Sequence, residues 1–291
     1  MISKEMLITD FHKLYRTSGL TSEVIQSFQQ IIYSYYKNFK RDFPFREDIT
    51  PYRVLISEIM LQQTQTKRVS EKFLEFIEQF PDLLTLSKAP LDKVLKVWKG
   101  LGYNRRAIAL KKIADIIINK YAGKVPDSIE ILKSFPQIGH NTASSIVAFA
   151  FNKPTFFIET NIRNVYIYFF FHNKTHVKDK EILPIVEKTF DKKNPREWYY
   201  ALMDYGVMLK KTHPELNRKS AHYRKQIPFK GSNRQLRGKI LKVLIKSKTL
   251  HTLEFEKKFI NFNQTRVKNV LNQLEKEGFI QKEGNKITLV K

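Results

Sequence analysis

Glu159 occupies a position in the sequence where a carboxylate needs an explanation. It directly follows three apolar residues in "FFIETNIRNV" (156–165), and Thr160 and Asn161 come after it. A carboxylate against a hydrophobic interior is costly unless it is hydrogen-bonded or used in a reaction. Glu159 is therefore either the N-cap of the following helix or a group that does acid–base or electrostatic chemistry. Since Glu caps helices less well than Thr or Asn, we expect Thr160 or Asn161 to be the cap and Glu159 to be catalytic.

The segment upstream of Glu159 has the pattern of an anion-binding turn. "FPQIGHNTASS" (135–145) places a Pro-x-x-Gly turn before an apolar helix, and Glu159 lies twenty residues after Gly139. Gly139 has no side chain, so a ligand can approach its backbone, and the first amides of the next helix point outward as donors. This pattern is typical of a helix–hairpin–helix, which binds a DNA phosphate without reading sequence. The alternative is a helical corner with only a packing role.

The charge of the chain also points to a polyanionic partner. Its formal net charge is +24, from 52 Lys and Arg against 28 Asp and Glu. Residues 210–248 alone contain thirteen Lys or Arg and one acid, Glu215. Clustering of this kind favours a nucleic-acid surface over a membrane or a generally lysine-rich composition.

Other composition features restrict the chemistry. The chain has no cysteine, which excludes disulfides, thiolate catalysis and cysteine-ligated zinc or iron–sulfur sites. The seven His residues show no metal-ligand spacing, so we expect no metal site. No run of eighteen apolar residues and no signal-peptide pattern is present, and we therefore expect an intracellular protein that does not interact with membranes.

Helical periodicity dominates the chain and predicts an all-α fold. Apolar residues recur at helical spacing, as at Ile25 and Phe28, with Thr21 before them as a candidate cap. Another helix should begin near Pro51, with Thr50 as its N-cap. The same pattern predicts helices over 68–80, 90–100, 104–124, 142–151, 179–190 and 195–210.

From Pro228 onward the pattern changes. Two segments read as helices and a third as a hairpin: 232–247, 262–278 and 279–291. The hairpin should turn at Gly284 and Asn285. Two helices, a short one between them and a closing hairpin outline a winged helix. We predict a winged-helix-like domain over 229–291, with its boundary within 226–232.

Several segments together resemble one known family. In chain order they are "FPFR" (43–46), "PYRVLISEIMLQQTQT" (51–66), "FIEQFP" (76–81), "VLKVWKGLGYNRRAIAL" (94–110), "GKVPD" (123–127) and "NPREWYYALMDYG" (194–206). With the hairpin and its distance from Glu159, they resemble the helix–hairpin–helix DNA glycosylases of the endonuclease III superfamily, closest to the A/G-mismatch adenine glycosylases. The resemblance covers about residues 40–225. It implies a two-lobed glycosylase domain over 22–228, with residues 53–151 forming a helical lobe and the flanking segments the other.

The resemblance assigns roles to two carboxylates. Glu58 lies at helical spacing between Val54 and Leu61, on a mostly apolar stripe where burial would favour its protonated form. Its family counterpart protonates the adenine ring. Glu159 matches the family's catalytic aspartate, which stabilises the cationic sugar and activates the nucleophile. We expect the two to face each other in the cleft between the lobes. In the alternative, Glu58 is a salt-bridged helix carboxylate.

A base inside a duplex must be flipped out before any group can reach it. By resemblance, Gln63 is the wedge that enters the base stack, Leu61 and Gln62 lie beside the pocket, and Phe45 borders the flipped base. Asn161 belongs to the same substrate site. The alternative for "LQQTQ" is a polar helix end.

The resemblance also implies contacts with the DNA backbone. Tyr103, with Arg105 and Arg106, is expected to touch it, although Tyr103 could equally be part of the core. The remaining DNA-binding residues expected from the hairpin and the basic run are Gln137, Gly139, His140, Thr142, Lys210 and Lys211.

The sequence departs from the family at three places, and Asn141 is a further informative position. Glu159 replaces the usual aspartate and is one methylene longer. Asn141, grouped with the substrate-binding residues, stands where bifunctional members carry a Schiff-base lysine, which implies an enzyme that leaves the strand intact. The four cysteines of the iron–sulfur loop, the first at Lys210, are missing, so we expect no cluster and no other cofactor. A compact C-terminal segment replaces the larger domain of adenine glycosylases that search for 8-oxoguanine.

The function predicted from these observations is monofunctional excision of a mismatched or damaged base, most readily adenine, in base excision repair. Excision of thymine, uracil or another modified base is the first alternative. A DNA-binding protein that has lost catalysis, because the longer Glu159 is misplaced, is the second. We expect double-stranded DNA as the partner, a monomer, and a location with DNA in the cytoplasm, nucleoid or nucleus.

Overall fold

The computed structural model describes residues 4–225 and 228–290, and over these residues it is helical apart from one small sheet. The helices are α1 (Lys4–Ser18), α2 (Ser22–Phe39), α3 (Pro44–Glu47), α4 (Pro51–Leu61), α5 (Thr66–Gln79), α6 (Leu83–Lys88), α7 (Leu91–Trp98), α8 (Arg105–Lys120), α9 (Ile129–Lys133), α10 (His140–Phe151), α11 (Thr160–Phe170), α12 (Asp179–Thr189), α13 (Pro195–Thr212), α14 (Leu216–Lys219), α15 (Asn233–Ser247), α16 (Thr252–Lys258) and α17 (Gln264–Lys276). The strands are β1 (Thr249–His251), β2 (Ile280–Glu283) and β3 (Lys286–Leu289). The predicted all-α class is confirmed.

The predicted helix starts follow from local capping. The Thr21 hydroxyl accepts a hydrogen bond from the amide of Val24 at 3.4 Å, which caps α2. The Thr50 hydroxyl accepts one from Arg53 at 3.2 Å at the start of α4. Each cap satisfies an amide that has no partner inside the helix. Both cap predictions are confirmed.

The chain divides into two compact units. Of the described residues, the first contains 4–54, 127–134 and 138–225, and the second contains 55–126, 135–137 and the C-terminal segment 228–290. The C-terminal segment thus groups with α5–α8. The domain boundaries predicted from the sequence, 22–228, 53–151 and 229–291, stay predictions.

An aromatic core holds the first unit together. Within it α11 packs against α13, and α2 packs against α13. The buried ring of Phe28 lies 5.7 Å from that of Trp198 and 5.1 Å from that of Phe169, in edge-to-face contacts. Burial of a large apolar side chain stabilises the fold by about 1.5–3 kcal/mol. The core therefore fixes the positions of α11 and α13, on which the candidate site depends.

A buried carboxylate fixes the segment that precedes α4. Asp204 of α13 is 1% exposed and pairs with two guanidinium groups. Arg41 contacts it at 2.7 Å and Arg46 at 3.1 Å. A buried charge is tolerated when it is paired in this way. The ion pairs hold residues 41–46, including "FPFR", against α13.

The second unit has a core of its own around α5 and α7. The ring of Phe76 lies 4.9 Å from that of Phe80 and 6.0 Å from that of Trp98. The indole of Trp98 donates to the carbonyl of Gly102 at 3.0 Å. This bond attaches the "GLGY" loop to the buried face of α7.

The C-terminal segment has the order α15, β1, α16, α17, β2, β3, which is that of a winged helix. Its antiparallel sheet runs β1–β3–β2, with Leu250 opposite Ile287. The hairpin between β2 and β3 turns at Gly284, whose φ is +53°, as the sequence predicted. Strand β1 has only three residues, too few to show a period of two in the sequence.

Candidate active site

The hairpin presents an open backbone at the start of α10. Gly139 is the N-cap of this helix, and a Cβ built on it would meet nothing within 4 Å. Its φ of −92° is available to any residue, so the glycine matters for space rather than for conformation. The preceding turn passes through Gln137 at φ +63°. Gln137, Gly139 and His140 are not buried, as a phosphate-binding turn requires.

Side chains of α10 tie this helix to the segment that leads to Glu159. The Asn141 amide donates to the carbonyl of Ile158 at 2.8 Å. A ring nitrogen of His140 lies 3.1 Å from the carbonyl oxygen of Phe156. The hairpin helix and the residues just before Glu159 therefore form one connected element, and Asn141 has a positioning contact of its own.

Tyr199 of α13 supports the same segment from the core. Its hydroxyl donates to the carbonyl of Thr155 at 2.7 Å and accepts from the amide of Phe157 at 3.3 Å. The hydroxyl of Thr155 donates to the carbonyl of Ser144 in α10 at 2.9 Å. Because these groups are buried, the bonds specify one conformation for residues 155–157.

Glu159 itself is the N-cap of α11. One carboxylate oxygen, Oε1, accepts from the amides of Asn161 at 2.8 Å and Ile162 at 3.0 Å. Its Oε2 accepts from the side-chain amide of Asn161 at 3.2 Å. The expectation that Thr160 or Asn161 would cap this helix is wrong, because the Glu159 side chain itself accepts from the amides of Asn161 and Ile162. The cap places a negative charge at the positive end of α11.

The surroundings of this carboxyl group oppose its ionisation. Burial raises the pKa of Glu159 above its ordinary value, while the hydrogen bonds from Asn161 and Ile162 and the charge of Arg163 lower it. The net shift of the pKa is upward. Arg163 is itself engaged, because its Nε and Nη2 donate to Asp179 at 2.6 and 2.8 Å. Glu159 is thus a carboxylate that accepts a proton more readily than an exposed Glu.

Gly206 allows α13 to pass close to the start of α11. A Cβ added to Gly206 would lie 2.4 Å from the carbonyl oxygen of Asn161, a separation that real side chains do not show. Any larger residue would push the first turn of α11 away. Gly206 was part of the quoted "DYG" motif, but its role depends on packing between distant segments, which the sequence does not display.

Glu58 lies near the C-terminal end of α4. It is partly exposed, and its helix neighbours Leu55 and Ile59 are fully buried. Helix α4 ends at Leu61, and the chain then turns through Gln63, which is exposed and has a φ of +54°. Gln63, the residue expected to act as the wedge, is thus exposed at this turn. We call residues 62–64 the wedge turn.

One buried guanidinium organises the wedge turn. Arg106 is 3% exposed, and its Nη1 donates to the carbonyl of Met60 at 2.7 Å and to that of Gln62 at 2.6 Å. Its Nη2 donates to the Thr64 hydroxyl at 2.9 Å and to the carbonyl of Gly102 at 3.1 Å. Burial lowers the pKa of the Arg106 guanidinium to about 10, so it stays protonated at neutral pH. Arg106 was expected at the DNA backbone; it instead joins α4, the wedge turn and the "GLGY" loop.

The other predicted residues have varied surroundings. Gln62 donates from its side chain to the carbonyl of Gln137 at 3.0 Å. Tyr103 has a φ of +45° and is 37% exposed, and its hydroxyl accepts from Arg234 at 3.0 Å. Phe45 is 6% exposed and stacks on Phe43 with 5.1 Å between ring centroids. The lysines expected to contact DNA are exposed in the last turn of α13: Lys210 and Lys211.

Residues 4–225 and 228–290 meet neither the requirements of a metal-binding cluster nor those of a membrane-crossing helix. In these ranges, no three His, Asp or Glu side chains gather closely enough to hold a metal ion. Within the same part of the chain, no helix is both long and apolar enough to cross a membrane.

Comparison with known proteins gives one family model. Residues 56–191 match that of the HhH-GPD superfamily base excision DNA repair protein. The adenine DNA glycosylase of Buchnera aphidicola subsp. Baizongia pistaciae is 36% identical over 196 residues, which are 65% of this chain and 55% of that protein. The one from Mycobacterium tuberculosis is 36% identical over 133 residues, 45% of this chain and 44% of that one. The chain spans about half the length of the curated relatives it matches.

Two solved structures share the fold. A thermostable thymine-DNA glycosylase matches with a TM-score of 0.57 at 24% identity, covering 68% of this chain and 96% of that one. A non-covalent endonuclease III–DNA complex matches with a TM-score of 0.54 at 18% identity, covering 74% and 94%. At these identities the likeness concerns the fold alone.

Proposed function

We propose that this chain, whose residues 56–191 match the model of the HhH-GPD superfamily base excision DNA repair protein, is a DNA glycosylase that removes adenine from mismatched duplex DNA. The choice of adenine is supported by the curated relatives, which are adenine DNA glycosylases. The observation that carries the proposal is the placement of Glu159, held at the start of α11 by two backbone amides and tied to the hairpin helix through Ile158. The proposed substrate is double-stranded DNA, bound by a monomer.

The proposed reaction is hydrolysis of the N-glycosidic bond. Glu58 donates a proton to the adenine ring, so that the base leaves as a neutral molecule when the bond to C1′ breaks. The sugar then carries the positive charge, which the Glu159 carboxylate stabilises. Water adds to C1′ and gives its proton to Glu159. The products are free adenine and an abasic site in an intact strand.

The raised pKa of Glu159 suits the second step. A carboxyl group whose burial disfavours its charge accepts a proton from the attacking water more readily than an ordinary one. The three hydrogen bonds it accepts keep it oriented while it does so. Glu159 must be ionised at the start of the reaction, and the positive charge of Arg163 favours its ionised form by lowering its pKa.

The same geometry supports a reaction without strand cleavage. An amine is required to form a Schiff base with the opened sugar, and Asn141 has none. Its side-chain amide is engaged with the carbonyl of Ile158. We therefore propose that the chain has no lyase activity and that it works without an iron–sulfur cluster or another cofactor.

A panel of duplexes tests the proposal. Duplexes with A:G, A:8-oxoguanine, T:G and U:G pairs and a fully paired control are incubated with the protein, and half of each sample is treated with alkali. Breaks at adenine that appear only after alkali are expected. Breaks before alkali would contradict the monofunctional assignment. Breaks at thymine or uracil instead of adenine would show that one of those bases is the target. No product from any duplex would favour a DNA-binding protein without catalysis.

Substitution at Glu159 separates chemistry from folding. Glu159→Gln keeps an oxygen that can accept from Asn161 and Ile162 but removes the charge, so excision should fall at least about a hundredfold while DNA binding persists. Glu187→Gln, an exposed carboxylate of α12 in the same unit, is the matched control. Full activity of Glu159→Gln would remove Glu159 from the mechanism.

A further inference from the structure

A large groove in the second unit lies between the winged-helix segment and the loops that carry the wedge turn. Its volume is about 1710 Å³. Its lining includes residues of α15, the wedge turn and the loop of residues 99–105. Gln63 and Tyr103 both line it. The groove is therefore continuous with the part of the candidate site that would meet the base stack.

The lining of this groove is strongly basic. Among the described residues that form it, eleven are Lys or Arg and none is Asp or Glu. They include residues of α15 and of segments before it, and the ones that carry the argument are Arg68, Lys96, Lys99, Lys239, Lys242 and Lys246. Since the whole chain has 28 acidic residues, a lining without any is a local property and not the average composition. Such a surface attracts a polyanion.

Aromatic side chains accompany the charge. Phe229, which precedes α15, lines the groove and is 59% exposed, and Tyr103 lines it as well and is 37% exposed. Basic residues mixed with exposed aromatic rings are typical of nucleic-acid surfaces, because rings can stack on bases while cations contact phosphates. An acidic protein segment would not require the rings.

A salt-bridge clamp fixes α15 in place. Glu277, the C-cap of α17, accepts from Arg105 at the start of α8 and from Arg237 of α15. The side chains of Arg237 and Glu277 are only 16% and 15% exposed. In addition, Arg234 of α15 donates to the Tyr103 hydroxyl at 3.0 Å. The winged-helix segment is thus held against the loops of the same unit rather than tethered loosely.

The charges within the winged helix favour α15 as the binding element. This helix carries five basic residues and no acid, whereas α16 carries Glu254 and Glu256, and α17 carries Glu275. Helix α17 also contributes Val270 and Gln273 to the groove lining, so part of its surface is already turned toward α15. The third helix, which usually reads the major groove in this class of motif, is therefore the less basic one here.

We propose that this groove binds the phosphate backbone of duplex DNA next to the wedge turn, with α15 of the winged helix supplying one wall. The inference deepens the proposed function and rests on it, since the DNA is the substrate of that reaction, but its test needs only binding. The groove adds phosphate contacts made by residues of the second unit alone. Because phosphates are contacted, the added affinity is independent of sequence and sensitive to salt.

Charge reversal on α15 provides the first test. Lys242→Glu combined with Lys246→Glu places two negative charges in the groove, and Lys268→Glu combined with Lys276→Glu makes the same change on α17 outside it. Binding to a labelled, fully paired DNA duplex is measured by fluorescence anisotropy at several salt concentrations. The groove variant should bind at least about tenfold more weakly than the control variant. Equal affinity of the two variants would overturn the inference.

Cross-linking locates the DNA. The chain has no cysteine, so Lys242→Cys and Lys268→Cys each create a single thiol. Duplexes that carry an activated disulfide tether on one phosphate at successive positions are mixed with each variant, so that a nearby cysteine thiolate displaces the leaving thiol. Disulfide formation is expected with Lys242→Cys at a few adjacent positions, and not with Lys268→Cys. Reaction at neither site, or preferential binding of a duplex RNA or an acidic peptide by the wild-type groove, would contradict the inference.

The two proposals fail separately. If no duplex loses a base, the proposed function falls, while the anisotropy and cross-linking results still decide the groove. If bases are removed but the groove variant binds as the control does, the glycosylase assignment stands and the groove inference falls. Thermal unfolding of each variant shows whether it is folded. Lys242→Gln combined with Lys246→Gln removes the two positive charges without adding negative ones, and it serves as a milder version of the charge reversal.

Discussion

The carboxyl group of Glu159 holds the start of α11 and is also the group that the proposed reaction uses. Capping requires only that its oxygens accept from the amides of Asn161 and Ile162. Catalysis requires in addition that the group be charged when the sugar becomes cationic. The hydrogen bonds and the positive helix end favour the charged form of this cap, but burial outweighs them, so the pKa of Glu159 stays above its ordinary value.

The raised pKa of Glu159 predicts the pH dependence of excision. In a plot of the single-turnover rate against pH, the midpoint of the rise on the acid side should lie above the ordinary Glu pKa of 4.5. The reason is that Glu159 must be ionised to stabilise the sugar cation. Measurement of the rate from pH 4.5 to the alkaline side of neutrality on an A:G duplex checks this. A midpoint at or below the ordinary value would mean that another group controls the acid side.

The raised pKa of Glu159 also predicts how the stability of the fold changes with pH. A carboxyl group whose pKa is raised by folding stabilises the folded state at pH values below its pKa in the unfolded chain. That stabilisation is lost as the pH rises through its pKa in the folded state. The free energy of unfolding of the wild type, relative to Glu159→Gln, should therefore decrease from acid pH toward neutrality. Urea unfolding at several pH values measures the difference, and an increase toward neutrality would contradict the upward shift of the pKa.

Arg106 is predicted to be essential for the structure of the wedge turn. Arg106→Ala would leave several buried carbonyl groups without their donor, and we expect the free energy of unfolding to fall by about 3 kcal/mol or more. Lys112→Ala, on the same helix, should change it by less than about 0.5 kcal/mol. Similar decreases for both would show that Arg106 has no special role.

At the scale of elements, the close approach of α11 and α13 sets the position of Glu159. Gly206→Ala would place a methyl group against the Asn161 carbonyl, and the first turn of α11 would have to move. We expect stability to fall by about 1–3 kcal/mol and the excision step to slow. Gly238→Ala in α15, where nothing lies within 4 Å, should instead stabilise by about 0.5–1 kcal/mol. A Gly206→Ala variant of unchanged stability would disprove the close packing.

Local patterns predicted the elements well and the contacts between them poorly. Periodicity and caps indicated the helices that became α2, α4 and α13, and turn chemistry indicated the hairpin at Gly284. The burial of Arg106 was not predictable, since an Arg beside an exposed loop resembles a DNA-binding residue until the carbonyl groups around it are known. The role of Gly206 depends on Asn161, which lies far earlier in the chain, and periodicity contains no such information.

At the scale of the whole molecule, the positive charge should govern DNA affinity. Lys210→Gln combined with Lys211→Gln should reduce the slope of log affinity against log salt by about 0.9 for each phosphate that is no longer neutralised. Lys112→Gln with Lys120→Gln, both on α8, should leave the slope unchanged. Titrations on matched and mismatched duplexes should show the same decrease in affinity. A decrease confined to mismatched DNA would contradict a role limited to binding phosphates.

The cap of α11 also allows the state of the Glu159 side chain to be followed by hydrogen exchange. The amides of Asn161 and Ile162 donate to the Glu159 carboxylate, which protects them from hydrogen exchange at a place where amides have no partner inside the helix. When a bound sugar or water draws that carboxylate away, both amides should exchange faster with solvent deuterium. The exchange of two neighbouring backbone amides would thus report, without turnover, whether the Glu159 carboxylate has left its cap.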